Sequence, residues 1–407
     1  MSSLIARSLK DICTFTRAST ATYCGRTGLL TQAAVDEPRL EYDPTTGAAR
    51  GLLIEEARTN TLLRSQEFSN ASWSKTRASV TADAAIAPDG TTSADRLTED
   101  ATASDTHYLA QVVAKASSSE VQAYSVSVFA QAASRSQIRL QAQGTSGSAH
   151  SAYALYDLVA GTAGSVTTAG NYDSAQSRIE RHSNGWWRCV LEFRVNNDAQ
   201  ADVVFVVFLA AGGTVSYSGD NASHVYVWGA QMEKGVHATS YIPTTTAAVA
   251  RSADVCEAQS LRPWFDEDEG TIYAEYLLPW PYTAGDAATG RRIVQADAGN
   301  DNDAQLAALM TGGVRYGLTY DGGVQQASLS LGAHAADVVQ KQAYAWAAND
   351  VAAIANGSTL ATDSSVTVPT GLTSFRIGPA YQPNGYIRRI RYWPRRLTDN
   401  ELRGLVA

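Results

Sequence analysis

The sequence predicts an all-β protein: two antiparallel jelly-roll sandwiches after an extended N-terminal attachment segment. Three observations carry that prediction. Short stretches alternate apolar and polar residues with period two, and their apolar positions are rich in β-branched and aromatic side chains, the pattern of a half-buried strand. Clusters of turn formers such as Ala87-Pro-Asp-Gly90, Gly144-Thr-Ser-Gly147 and Ser183-Asn-Gly185 separate the stretches. Helical periodicity is almost absent, and a series of short antiparallel strands of this kind buries its apolar faces as a sandwich, of which the jelly roll leaves few open edges.

Residues 1–61 come first. They are dense with turn formers, short on apolar runs, and close on the block Gly51-Leu-Leu-Ile-Glu-Glu-Ala-Arg-Thr-Asn60. Such a segment cannot bury a large core of its own and is expected to lie along something else. In the block, Leu52, Leu53 and Ile54 form an apolar patch, while Glu55, Glu56 and Arg58 are placed to pair. The block either organises an oligomer or packs within its own subunit.

Residues 62–243 hold the first strand series. Leu109-Ala-Gln-Val-Val113 opens it, and Ala123-Tyr-Ser-Val-Ser-Val-Phe-Ala130 puts Tyr124, Val126 and Val128 on one face. Gln137-Ile-Arg-Leu-Gln-Ala142, Ala152-Tyr-Ala-Leu-Tyr-Asp157, Ser177-Arg-Ile-Glu-Arg181 and the stretches 187–195, 202–209 and 224–229 continue it. Residues 244–268 read as a linker, because their Thr/Ala run has no strong periodic face. Residues 269–407 hold the second series. Gly270-Thr-Ile-Tyr-Ala-Glu-Tyr276 aligns Ile272, Ala274 and Tyr276, and Asn356-Gly357 is a favoured two-residue hairpin turn. Near the end, Thr398 caps a short helix with Glu401 at capping-box distance.

At 407 residues there is room for two or three domains. A formal net charge of -8 argues against a nucleic-acid partner, since phosphate binding needs clustered Lys and Arg. Arg388, Arg389, Arg391, Arg395 and Arg396 are a local exception, read as an exposed edge with salt partners. No run reaches transmembrane length, and Val203 to Ala211 suits a buried strand, so no membrane insertion is expected. The first ten residues lack the sustained apolar stretch of a secretory leader, which points to synthesis in the cytoplasm. Cys13, Cys24, Cys189 and Cys256 show no CxxC and no zinc spacing. Cys13 and Cys24 could pair, and free thiols are the expected state.

Catalytic signals are weak. Asp266-Glu-Asp-Glu269 is the obvious acidic cluster, but consecutive carboxylates repel one another and read as a solvated loop. No Gly-x-Ser-x-Gly elbow is present, and the six histidines are scattered singly. The loop Asp297-Ala-Gly-Asn-Asp-Asn-Asp303 offers hard oxygen ligands at Asp297, Asp301 and Asp303, so a structural calcium is conceivable there, or a plain solvated turn. No other cofactor is expected. Aromatic faces suit sugar binding, because the C–H side of a pyranose packs on a ring. Trp186, Trp187, Trp228 and Trp393 sit in strand motifs and read mainly as core. Trp73, Trp280 (between two prolines) and Tyr381 read as loop residues, and are the best ligand contacts.

Several phrases carry resemblances. Phe15-Thr-Arg-Ala-Ser19, Pro38-Arg39, Tyr42-Asp-Pro-Thr-Thr-Gly47 and the 51–60 block resemble the N-terminal part of tailed-bacteriophage fibre and spike proteins, and of related prophage or gene-transfer particles. Gln66-Glu-Phe-Ser-Asn-Ala-Ser-Trp73, Asn184-Gly-Trp-Trp-Arg188 and Val227-Trp-Gly-Ala-Gln-Met-Glu233 resemble a carbohydrate-binding-module type of jelly roll. The second series, with Tyr392-Trp-Pro-Arg-Arg-Leu-Thr-Asp-Asn-Glu-Leu402, resembles the concanavalin-A/laminin-G-like jelly roll. The Glu-x-Asp-x-x-Glu strand motif of glucanases with that fold is absent. The resemblance implies a virion surface protein with no enzymatic activity. It would be a homotrimer held by a capsid or tail protein, with a host-cell surface polysaccharide as its ligand. Two alternatives stand beside it: a polysaccharide depolymerase of tailspike type, and a ligand-free structural decoration protein.

Overall fold

In a computed structural model that describes residues 13–145, 147–258, 260–280, 291–300, 302–310, 313–379 and 382–407 (backbone alone at 306–310), the chain runs almost wholly through antiparallel strands. In the first lobe one sheet runs, in spatial order, Thr162–Ala163, Gly147–Asp157, Gln137–Gly144, Asp202–Ala210, Tyr108–Ala114, Ser74–Thr76. The other runs Tyr172–Arg181, Trp186–Asn196, Val121–Gln131, His224–Lys234, Thr92–Glu99, Ala78–Ile86. The chain crosses repeatedly between the two, as a jelly roll does. The period-two alternation decides the core: Tyr124, Val126 and Val128 meet Ile138, Leu140, Leu191 and Val207 between the sheets. Each such large apolar side chain contributes about 1.5–3 kcal/mol when fully buried.

The second lobe is built the same way. One sheet orders Thr14–Thr16, Val255–Ala258, Ser374–Ile377, Arg291–Asp297, Ala304–Met310, Val314–Asp321, Val324–Ala333. Its partner orders Ala361–Asp363, Val351–Ala355, Gln340–Trp346, Gly270–Leu277, Gly385–Trp393, Ala49–Ile54, Leu40–Tyr42. Ile272, Ala274 and Tyr276 all point into the core between them. Asn356 and Gly357 lie in the turn that joins Val351–Ala355 to Ala361–Asp363. The final helix, Asp399–Val406, has the full capping box between Thr398 and Glu401. Among the described residues no helix is long and apolar enough to cross a membrane.

The N-terminal segment lies along its own chain. Thr14–Thr16 and Ala49–Ile54 supply strands to the two sheets of the second lobe, so the first lobe is inserted between two parts of the second. A hairpin, Ala21–Cys24 with Leu30–Ala33, leans on the first lobe. There Thr22 Oγ1 donates to the Tyr241 carbonyl at 2.5 Å, and Ser183 Oγ donates to the Gly28 carbonyl at 3.0 Å.

This corrects the reading of the 51–60 block as a surface offered to neighbouring copies. Leu52, Leu53 and Ile54 are buried within the subunit, because the strand they form is covered by the second lobe's own core. Glu55 pairs with Arg39 at 2.8 Å and Arg251 at 3.4 Å. Glu56 pairs with Arg58 at 2.5 Å and with Arg291 at 3.2 Å. Asp254 completes the buried cluster, bound to Arg39 and, at 3.1 Å, to Arg17. Burial by itself pushes the Glu55 carboxyl up, but Arg251, Arg39 and Ser240 outweigh it and hold the group down at about 2. The cluster ties residues 17, 39 and 55 to the chain that links the lobes. The four cysteines are free and buried, and the Cys13 thiol lies against Cys256 rather than Cys24.

Candidate functional site

The outer face of one first-lobe sheet differs from the rest of the described surface. Its register aligns Tyr108 with Phe208 and Phe208 with Arg139. The next row outward joins Ala110, Val206, Gln141 and Tyr153, and the next Val112, Val204, Gln143 and Ser151. Residues at these alternate positions face away from the core that Leu109, Ile138 and Val207 fill. Ala110, Val206 and Phe208 make an apolar floor of their own, flanked by the half-buried Tyr108 and Val204.

Arg139 lies across this floor. Its guanidinium carbon is 4.4 Å from the Phe208 ring centroid and 4.7 Å from that of Tyr153, within cation–π range of both. Tyr108 meets Phe208 in a tilted contact, with ring centroids 4.9 Å apart. Gln141 donates from Nε2 to Gln143 Oε1 beside it. Among the described residues Arg139 has no carboxylate partner, and its buried Nε has no acceptor. Burial holds the guanidinium below its ordinary value, with the Tyr153 phenol acting weakly the other way. Phe208 and Gln141 are themselves buried, so the face offers the half-buried Tyr108, Tyr153, Arg139 and Gln143 on neighbouring positions of the sheet.

The second concavity is a cleft of about 580 Å³ where the N-terminal segment and both lobes meet. Its charges are mostly spent on one another. Arg50 binds Asp43 at 3.0 Å, and Arg178 binds Glu180 at 2.8 Å. Burial raises the Asp43 carboxyl, but hydrogen bonds from Thr46, Arg50 and Thr45 win and hold it well below the usual carboxylate range. Burial pulls the His182 imidazole down to about 4. Glu41 is the exception. Burial pushes its carboxyl up to about 8, against the backbone N–H of Cys24 and the charge of Arg39, and its Oε2 has no partner.

The residues singled out from sequence fall elsewhere. The expected exposure of Trp73 and Trp280 is corrected, since each is only 1% exposed. Trp73 fills the first-lobe core against Phe68 and Phe205, with its indole N–H on the Arg64 carbonyl at 3.0 Å. Trp280 does leave the strand, but it turns inward and stacks on His237 of the first lobe at 4.3 Å. Tyr381 and Asp301 lie outside the described residues. Asp297 is corrected as a calcium ligand. It is fully buried and engaged by Arg376 at 2.5 Å, Ser374 at 2.9 Å and the Gly299 N–H at 2.7 Å, so its lone pairs are taken. Asp303 accepts from the Gly322 N–H at 2.8 Å. Among the described residues no group of three His, Cys, Asp or Glu side chains could hold a metal. Sequence reading missed Arg139. The signal was there in Gln137-Ile-Arg-Leu-Gln-Ala-Gln143, where the polar alternates of a strand are amides and an arginine.

No protein-family model matches the chain, and no curated protein matches it. Among solved structures, the Ruminococcus gnavus IT-sialidase CBM40, in a complex with alpha2,3 sialyllactose, is similar at 17% identity and a TM-score of 0.29, over 35% of this chain and 83% of that one. The mouse laminin alpha1 chain domains LG4-5 are similar at 10% identity and a TM-score of 0.22, over 71% of this chain and 86% of that one. At these scores neither likeness carries an argument about the ligand.

Proposed function

We propose that this is an adhesion protein that grips glycans through the outer face of its first sandwich, without cleaving them. The observation that carries the reading is Arg139, which has no carboxylate partner among the described residues and is held between Tyr153 and Phe208 near the half-buried Gln143. Rings pack the C–H face of a sugar while amides and a guanidinium bond its hydroxyls. On the motif resemblance, the setting is the surface of a phage-like particle that meets a host-cell polysaccharide. There a homotrimer and many copies would turn weak contacts into avidity. Attachment to a capsid or tail protein falls, on the same resemblance, to residues 1–61, of which Thr14–Thr16, Leu40–Tyr42 and Ala49–Ile54 are paired within this chain's own sheets.

The test is a glycan array probed with the full chain and with Tyr153→Ala. Losing one aromatic contact of about 0.5–1.5 kcal/mol is expected to weaken binding up to roughly tenfold. Unchanged binding by the variant removes this face from consideration. A cleavage reading has one observation in its favour, the neutral carboxyl of Glu41 in a cleft with ionised neighbours, which is how a general acid is kept protonated. Release of new reducing ends by the wild type, abolished in Glu41→Gln, would replace the adhesion reading.

A further inference from the structure

We infer that the glycan held on this face carries a carboxylate, which the Arg139 guanidinium takes as a two-pronged ion pair. The inference rests on the reading of the face as the glycan site and deepens it. Its basis is an imbalance. Buried and half-buried arginines elsewhere among the described residues have partners: Arg135 holds Glu99 at 2.5 Å, Arg194 holds Asp173 at 3.0 Å, and Arg376 holds Asp297 at 2.5 Å. Arg315, with no carboxylate, is bonded to Gln340, to Asn356 and to backbone carbonyls. Among the described buried and half-buried arginines Arg139 alone has neither, although it lies on an apolar floor where a cation is costly.

Cation–π contact with two rings offsets part of that cost and fixes the plane of the guanidinium. It does not supply acceptors for five N–H donors. A planar carboxylate matches the fork with two parallel hydrogen bonds, which a neutral hydroxyl cannot do. The chain as a whole is acidic, at -8, so an anionic ligand is not drawn in from a distance. Recognition has to come from this contact. The chemical class is therefore a sugar acid, whether a hexuronate or a sialate, with the half-buried Tyr153 flanking the ring and Gln143 beside it.

The experiment uses the full chain and immobilised glycans bearing hexuronate or sialate residues, each beside its methyl ester, with a sulfated and a neutral glycan alongside. The wild type is expected to bind at least one acid form tenfold or more tightly than its ester. Arg139→Gln is expected to abolish that ratio, and Arg139→Lys to restore only part of it. Unchanged thermal melts show that the variants are folded. Equal binding of acid and ester by the wild type overturns the inference and leaves the glycan site standing, as does a preference for the sulfated glycan. A ratio that survives in Arg139→Gln also overturns it. Binding to none of the glycans overturns the site itself and the inference with it.

Discussion

The buried Glu55 and the half-buried Glu41 show how the same side chain takes opposite roles. Glu55 is ionised between Arg39 and Arg251, and removing its charge leaves Arg17, Arg39 and Arg251 to share the single carboxylate of Asp254. Glu55→Gln is expected to destabilise the protein by about 3–5 kcal/mol, the cost of breaking a buried ion pair from one side. Chemical denaturation at pH 7 reads it. Its folded-state value of about 2 lies below the unfolded one, so its contribution is present above about pH 4.5 and is lost as pH falls toward 2. Glu41 runs the other way. Its folded-state value of about 8 lies above the unfolded one, so its contribution is complete below about pH 4.5 and is lost as pH rises through 8. Glu41→Gln should therefore flatten stability between pH 5 and 8 and gain about 1–3 kcal/mol at pH 8, a discounted figure for a group at a cleft wall. Denaturation midpoints across that range check it, and a variant no more stable than the wild type at pH 8 refutes it.

At the scale of the element, the strand Ala49–Ile54 explains the glycine that opens its sequence block. Gly51 has φ of +133°, and a Cβ there would meet the Ile387 carbonyl oxygen at 2.6 Å, on the neighbouring strand. Gly51→Ala must strain the backbone or spread the two strands, at a cost of about 1–3 kcal/mol. A fall in the melting temperature of the second lobe is the expected outcome. Much at this scale was legible in the sequence. The strands around Tyr124, Ile138 and Ile272, the turn at Asn356-Gly357 and the cap at Thr398 depend on neighbours a few residues away. Burial of Leu52 to Ile54 was legible as an apolar run, but its partner strand, Gly385–Trp393, lies more than 300 residues on and nothing local names it.

Over the whole molecule, the nesting of one lobe within the other makes the ends interdependent. A chain that begins at residue 61 lacks Thr14–Thr16, Leu40–Tyr42 and Ala49–Ile54, and with them strands of both second-lobe sheets. It also lacks Arg17, Arg39 and Glu55, which leaves Asp254 and Arg251 with only their own contact at 4.0 Å. Such a truncation is expected to lose the second lobe's cooperative unfolding transition while the first lobe keeps its own. A chain that begins at residue 13 should retain both. Calorimetry distinguishes the two, and two intact transitions in the shorter chain would show that the N-terminal strands are dispensable.

The sequence by itself determined the all-β class, the two strand series and the residues that share each strand face, because period two and turn chemistry act over a few residues. It also marked Trp280 as lying outside a strand, through its flanking prolines. Only the tertiary structure decided which way such residues turn. Trp73 and Trp280 went inward because each found a packing partner far along the chain, and the N-terminal segment found its partners on its own lobes. The candidate site is likewise tertiary. Arg139, Tyr153 and Phe208 sit on three strands, and only their sheet register brings a cation onto two rings, with no counter-charge in reach among the described residues.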